Sequence, residues 1–293
     1  MRGWALLAAL VAGCSDAPAE TPAQATPGPA MWVIRDHDST IYLLGTVHAV
    51  RAGSGWRTPA IDRALRDATT LYLEIAEDAD DTSAMAALLG RYGVDPTRPL
   101  STWLTPEQER RLTAAATSLR VPRDSLEPMR PWLAGLTLTA AQLGRDGYDP
   151  AMGADRVLEA RARAEGDRVL ALETAEQQIR LLAEGSAATQ VETLMEAVDQ
   201  AEAGPALMAE LSSAWERGDE ATLARLVATE VKDRSPEVYQ ALLVRRNAAW
   251  TRQIEAMVAG SGTTMIAVGA GHLVGPDGVP TMLAQRGIRA ERQ

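Results

Sequence analysis

The chain has 293 residues, with 39 acidic against 29 basic side chains, a formal net charge of −10, one cysteine and three histidines. This length suits one large α/β domain or two small ones. An acidic chain without a basic cluster excludes nucleic acid as the expected partner, and a lone cysteine excludes a disulfide within the chain.

Residues 1–13, MRGWALLAALVAG, carry one positive residue, Arg2, and then a short apolar stretch. Spanning a bilayer takes about 20 apolar residues, so this stretch reads as a cleaved secretory signal. Leu10-Val11-Ala12-Gly13-Cys14 resembles a bacterial lipobox, with Cys14 as the lipidated residue. Each buried methylene of an acyl chain adds roughly 0.8 kcal/mol, so several chains on Cys14 would hold the protein on a membrane. By the same resemblance, Ser15 implies sorting to the outer membrane, facing the periplasm. Residues 14–30, rich in Pro, Ala and Thr, form the expected flexible linker. Folding therefore starts near Met31.

Residues 31–47 read as two strands around the polar turn Asp36-His37-Asp38-Ser39. Thr58-Pro59 supplies an N-cap and a first-turn proline for a helix over 59–68. The strand Thr70–Ile75 follows directly, completing a βαβ unit whose two strands, 41–47 and 70–75, are expected to be parallel neighbours. Thr105-Pro106-Glu107-Gln108 has capping-box spacing. A helix over 151–165 leads into the strand 168–173, and a long helix over 236–259 leads into the strand 264–269. A last helix near 278–285 leads into a short run at Ile288–Ala290. The stretch 174–260 reads as almost wholly helical. The expected fold is α/β: a mainly parallel sheet with flanking helices and a large helical insertion at about 174–260.

Two turns match each other. Gly45-Thr46-Val47-His48 and Gly269-Ala270-Gly271-His272 each end an apolar run with a histidine three residues after a glycine. Ligands of parallel sheets bind beyond the carboxyl ends of the strands. His48, Glu74, Glu173 and His272 all fall there, and the glycines let the backbone turn closely around a bound group. Two imidazoles with one or two carboxylates suit a divalent transition metal such as Zn, Mn, Co or Fe. Such a metal can acidify water and polarise a carbonyl, and a carboxylate outside its shell can act as base. His37, among aspartates in a hairpin turn, reads as solvated.

These residues, with Leu172-Glu173-Thr174, Gln177 and Arg246-Asn247-Ala248-Ala249-Trp250, resemble the TraB/PrgY/GumN family, which includes the animal TIKI metalloproteases. The resemblance covers essentially the whole domain from Met31. It implies a fold related to the erythromycin-esterase and ChaN-like proteins, and metal-dependent hydrolysis, with a peptide or protein as substrate. It implies active-site positions at His48, Glu74 and His272, with Glu173 a further ligand or the base. Arg246 and Asn247 lie on the long helix, where Arg246 could orient a carboxylate or hold an oxyanion. Trp250 is expected to pack the helix. No HExxH and no GxSxG occurs, which excludes the helix-borne zinc protease site and argues against an ordinary serine hydrolase. Two alternatives stand beside the hydrolase. One is a haem-binding lipoprotein with His48 or His272 as axial ligand. The other is a non-catalytic interaction module using the helical region, whose apolar helices also allow a homodimer.

Overall fold

The computed structural model describes residues 28–76, 82–229, 232–233 and 235–293. The signal, Cys14 and most of the linker lie outside them.

The first two strands, β1 (Met31–Arg35) and β2 (Ser39–Thr46), form the expected antiparallel hairpin. Its turn is tied by Asp36, whose carboxylate accepts from the Asp38 and Ser39 N–H groups and from the Ser39 hydroxyl at 3.1, 2.7 and 2.9 Å. A two-residue strand β3 (Val50–Arg51) leads to the helix Pro59–Asp67, where Thr58 caps the Ile61 N–H and Pro59 opens the first turn. Strand β4 (Thr70–Leu73) follows, then four α-helices and one 3-10 turn, Leu100–Trp103, between Thr82 and Arg145. Next come β5 (Tyr148–Asp149), which pairs with β3, the helix Ala154–Glu165 and β6 (Arg168–Ala171). Further helices run from Ala175 to Val258, and then come β7 (Gly262–Gly269), the helix Val279–Ala284 and β8 (Glu291–Arg292).

The main sheet has the order β6-β4-β7-β2-β1-β8. Strands β6, β4, β7 and β2 are parallel, while β1 and β8 extend one edge antiparallel. The expected adjacency of β2 and β4 is corrected here, because β7 lies between them. Chain order constrains strand direction more tightly than strand position. The centre of a parallel sheet is covered on both faces, so it goes to the most continuous apolar run. Met265, Ile266, Ala267 and Val268 of β7 are each no more than 2 % exposed. Two other boundaries shift. The long helix is interrupted by a π-helical segment, Gln240–Val244, between Pro236–Tyr239 and Arg245–Val258. The last strand is Glu291–Arg292 rather than the run before it.

The sheet core joins Leu43, Leu44, Leu71 and Ile266 to Trp215 and Trp250 from the covering helices. A second core lies among the helices, where Leu112, Leu138, Leu194 and Val198 are fully buried. Each such side chain contributes about 1.5–3 kcal/mol. The second core draws on helices from both sides of β6, so the helical layer is larger than the stretch 174–260 alone.

Candidate functional site

Strand register sets the site. Thr46 pairs with Gly269, and Leu73 pairs with both Ala267 and Ala171. The carboxyl ends of β2, β7, β4 and β6 therefore lie side by side, and the residues just beyond them meet at one edge. Glu74 and Glu173 are tied through the backbone there, the Glu173 N–H donating to the Glu74 carbonyl at 3.0 Å.

Glu74 is buried and both carboxylate oxygens are hydrogen-bonded. Its Oε1 accepts from the Gly269 N–H at 2.7 Å, and its Oε2 accepts from Arg246 Nη2 at 2.5 Å and Gln178 Nε2 at 3.1 Å. A Cβ on residue 269 would stand 3.1 Å from Glu74 Oε1, so glycine gives the carboxylate its approach to that N–H. Glu173 Oε1 accepts from Arg246 Nε at 2.8 Å, from Gln178 Nε2 at 2.8 Å and from Arg246 Nη2. One guanidinium thus joins two carboxylates, and Gln178 spans the same pair.

His272 completes the group. Asn247 Nδ2 donates to the Asp277 carbonyl at 2.8 Å, which commits Asn247 Oδ1 to accepting. The His272 Nδ1–H fills that role at 2.6 Å. The lone pair therefore sits on Nε2, 3.1 Å from Arg246 Nη1 and 3.8 Å from Glu74 Oε1. The imidazole lies against Trp250 at a centroid distance of 4.4 Å. Burial pushes the His272 pKa down to about 4, Glu74 opposing and Arg246 and His48 adding to the fall. The imidazole is neutral at neutral pH. Burial pushes the Glu74 carboxyl up, but the surrounding positive charge and the Gly269 N–H outweigh it and hold Glu74 below its ordinary value. With His272 neutral, Arg246 is the principal charge keeping Glu74 ionised.

His48 stands apart from this group. It is exposed, and its Nδ1 lies 2.8 Å from Asp155 Oδ2. That hydrogen bond raises the His48 pKa to about 9. The ring is an imidazolium at neutral pH. His48 lines a cavity of about 300 Å³ together with Thr46, Glu74, Asp155 and Gln178. A larger cavity of about 1020 Å³ has Glu173 and Arg246 in its lining and runs between the helix Ala175–Ala183 and the segment from Pro236 to Gln253.

The structure thus gathers Glu74, Glu173, Arg246, Asn247 and His272 into one hydrogen-bonded cluster and sets His48 at a neighbouring cavity wall. Among the described residues, the group of three or more ligand-type side chains whose donor atoms lie within 4.8 Å of one another is Asp36, His37 and Asp38. All three are exposed, and the Asp36 bonds described above belong to the hairpin turn. Three further residues of the site are not singled out in the sequence. Asp155 opens the helix Ala154–Glu165, and its signal is Gly153 before it: a Cβ there would lie 2.5 Å from the His48 carbonyl oxygen. Gln178 follows a capping box formed by Thr174 and Gln177. Thr46 is buried, and its hydroxyl has no partner.

No curated protein and no solved structure matches the chain. The sequence model of the TraB/PrgY/gumN family matches residues 30–292, which takes in every strand of the sheet and every residue of the cluster. The chain belongs to the TraB/PrgY/gumN family.

Proposed function

We propose that this family member is a metal-dependent hydrolase of the bacterial envelope, lipid-anchored through Cys14, acting on peptide or peptide-like bonds. The observation that carries the reading is the convergence of Glu74 Oε2, Glu173 Oε1 and His272 Nε2 on one cationic group, the Arg246 guanidinium. Two carboxylate oxygens and an unprotonated imidazole nitrogen are the donor types that suit a divalent cation; their atoms do not all lie within 4.8 Å of one another around the guanidinium, so a cation taking its place would have to draw them inward. When bound, such an ion lowers the pKa of water and polarises a carbonyl.

The side chains divide the remaining work. Asn247 fixes the tautomer that leaves His272 Nε2 free of a proton. Glu74 stays ionised and accepts rather than donates. Arg246, released from the carboxylates, is placed to hold a substrate oxyanion. His48 carries a proton that Asp155 orients at Nδ1, so its Nε2–H is available to a leaving amine. Ligation through that nitrogen would require losing this proton. The haem alternative asks for a histidine beside an apolar vacancy. His272 is instead held by Arg246, Asn247 and Trp250, and His48 by Asp155.

The test is hydrolysis of a mixed peptide library by the full-length protein, followed by mass spectrometry. Cleavage should vanish with a chelator and return with Mn, Co or Zn. Glu74→Gln should lower kcat/KM by at least about a hundredfold, the scale of losing one essential catalytic group. Cleavage that persists in both the chelator and the variant would refute the assignment.

A further inference from the structure

The larger cavity has a lining whose chemistry is nearly all accounted for. Glu173 is paired with Arg246, Arg180 with Glu184 at 2.6 Å, and Glu237 accepts from the Thr189 hydroxyl at 3.0 Å. Arg245 is the exception: it lines the cavity, is exposed, and has no hydrogen-bond or ion-pair partner among the described residues. The second unmet group is Gln190, which is 5 % exposed and also lines this cavity. Its Nε2 donates to the carbonyls of Ala183 and Gly185 at 3.1 and 3.0 Å, which settles the amide orientation and leaves Oε1 as the acceptor. That buried Oε1 has no partner.

A buried acceptor without a donor is destabilising, and a ligand N–H would satisfy it. An unpaired arginine in a concave wall recognises a carboxylate. Leu181, Leu242 and Ala249 supply an apolar wall between charged residues. Trp250, the one aromatic side chain of the lining, is 1 % exposed, so it offers no face on which a sugar or base could stack. An N–H donor and a carboxylate on an apolar chain describe a peptide. We propose that this groove binds a carboxylate-bearing peptide, with Arg245 holding the carboxylate and Gln190 Oε1, buried in the free protein, uncovered by a side-chain shift to accept one peptide N–H. Binding in the groove stands independently of the hydrolase reading; only the identification of the bound peptide as substrate, cut beside Glu173 and Arg246, rests on it.

The experiment measures fluorescence anisotropy of N-terminally labelled Ala-Leu-Ala-Leu on the full-length protein, with peptide integrity checked by mass spectrometry. Three probes are compared: the free C-terminal acid, the C-terminal amide, and the amide of Ala-Leu-Glu-Leu. The acid should bind about tenfold more tightly than its amide, and Arg245→Gln should remove that difference while Arg245→Lys keeps part of it. Strong binding of the Glu-containing amide identifies a side-chain carboxylate as the natural group; weak binding identifies a chain terminus. N-methylation at successive peptide nitrogens should weaken binding at one position, the one facing Gln190. Equal binding of acid and amide, a preference that survives in Arg245→Gln, or no binding of any probe overturns the proposal. Arg245-dependent binding of a peptide that is never cut upholds the groove and refutes the hydrolase. Cleavage indifferent to Arg245 and to the carboxylate does the reverse.

Discussion

Arg246 is the residue on which the cluster turns. Its side chain is 11 % exposed and faces Glu74 and Glu173, each 10 % exposed. Truncating one partner of a buried ionic group is far more damaging than replacing the whole group, because the remaining charges stay buried without compensation. Arg246→Ala should therefore lower stability by about 3 kcal/mol, read as a fall in Tm. A divalent metal should raise the Tm of the variant more than that of the unaltered protein, since it fills the same charge deficit. A variant as stable as the parent would mean that the carboxylates do not depend on Arg246. His272 gives a second test. The unfolded chain takes up the imidazole proton near pH 6.5, and the folded chain only near pH 4. Between those values the unfolded state binds more protons, so stability falls as the pH drops through that window, by on the order of 3 kcal/mol. Denaturant unfolding of His272→Phe across the same window should lack this slope relative to the parent. At this scale the sequence pattern located Glu74, Glu173 and His272 through their places after strands. It also offered Arg246 as a partner for a carboxylate, which the bonds to Glu74 and Glu173 match; that one guanidinium joins both carboxylates and His272 was not legible, because the placement of a long side chain depends on how its helix packs.

At the scale of elements, sheet edge and helix start cooperate. The helix Ala154–Glu165 begins where its Ala154 N–H donates to the Val47 carbonyl at 2.9 Å, and this seats Asp155 beside His48. Gly153 makes that approach possible. Gly153→Ala would place a methyl group 2.5 Å from the His48 carbonyl oxygen, a backbone atom that cannot swing aside. We expect a loss of about 1–3 kcal/mol from overpacking, with the His48 imidazole pKa falling from about 9 toward its ordinary value as the bond to Asp155 is lost. NMR titration of the ring would measure this, and an unchanged pKa would show that Gly153 does not seat the pair. Local signals were readable at this scale: Thr58-Pro59, the Thr105–Gln108 capping box and the hairpin turn each depend on residues within a few positions. The His48–Asp155 pair joins residues 107 apart in sequence, and no periodicity encodes it.

At the scale of the molecule, the fold sets a hydrophobic sheet under a helical layer with its own core and leaves two cavities against one polar cluster. The α/β class and the carboxyl-edge location followed from strand-helix alternation. The central place of β7 did not, since strand order is decided by which run is buried on both faces. No helix among the described residues is long and apolar enough to cross a membrane. Under the proposed function, Glu74, Glu173 and His272 together hold one divalent metal, and this shared site can be tested on its own. Its most direct test is the metal content of the full-length protein by mass spectrometry after equilibration with Mn, Co and Zn, compared with Glu74→Gln and His272→Ala. The parent should hold close to one metal per chain and either variant almost none; no bound metal in the parent, or the same content in all three, would rule the shared metal site out.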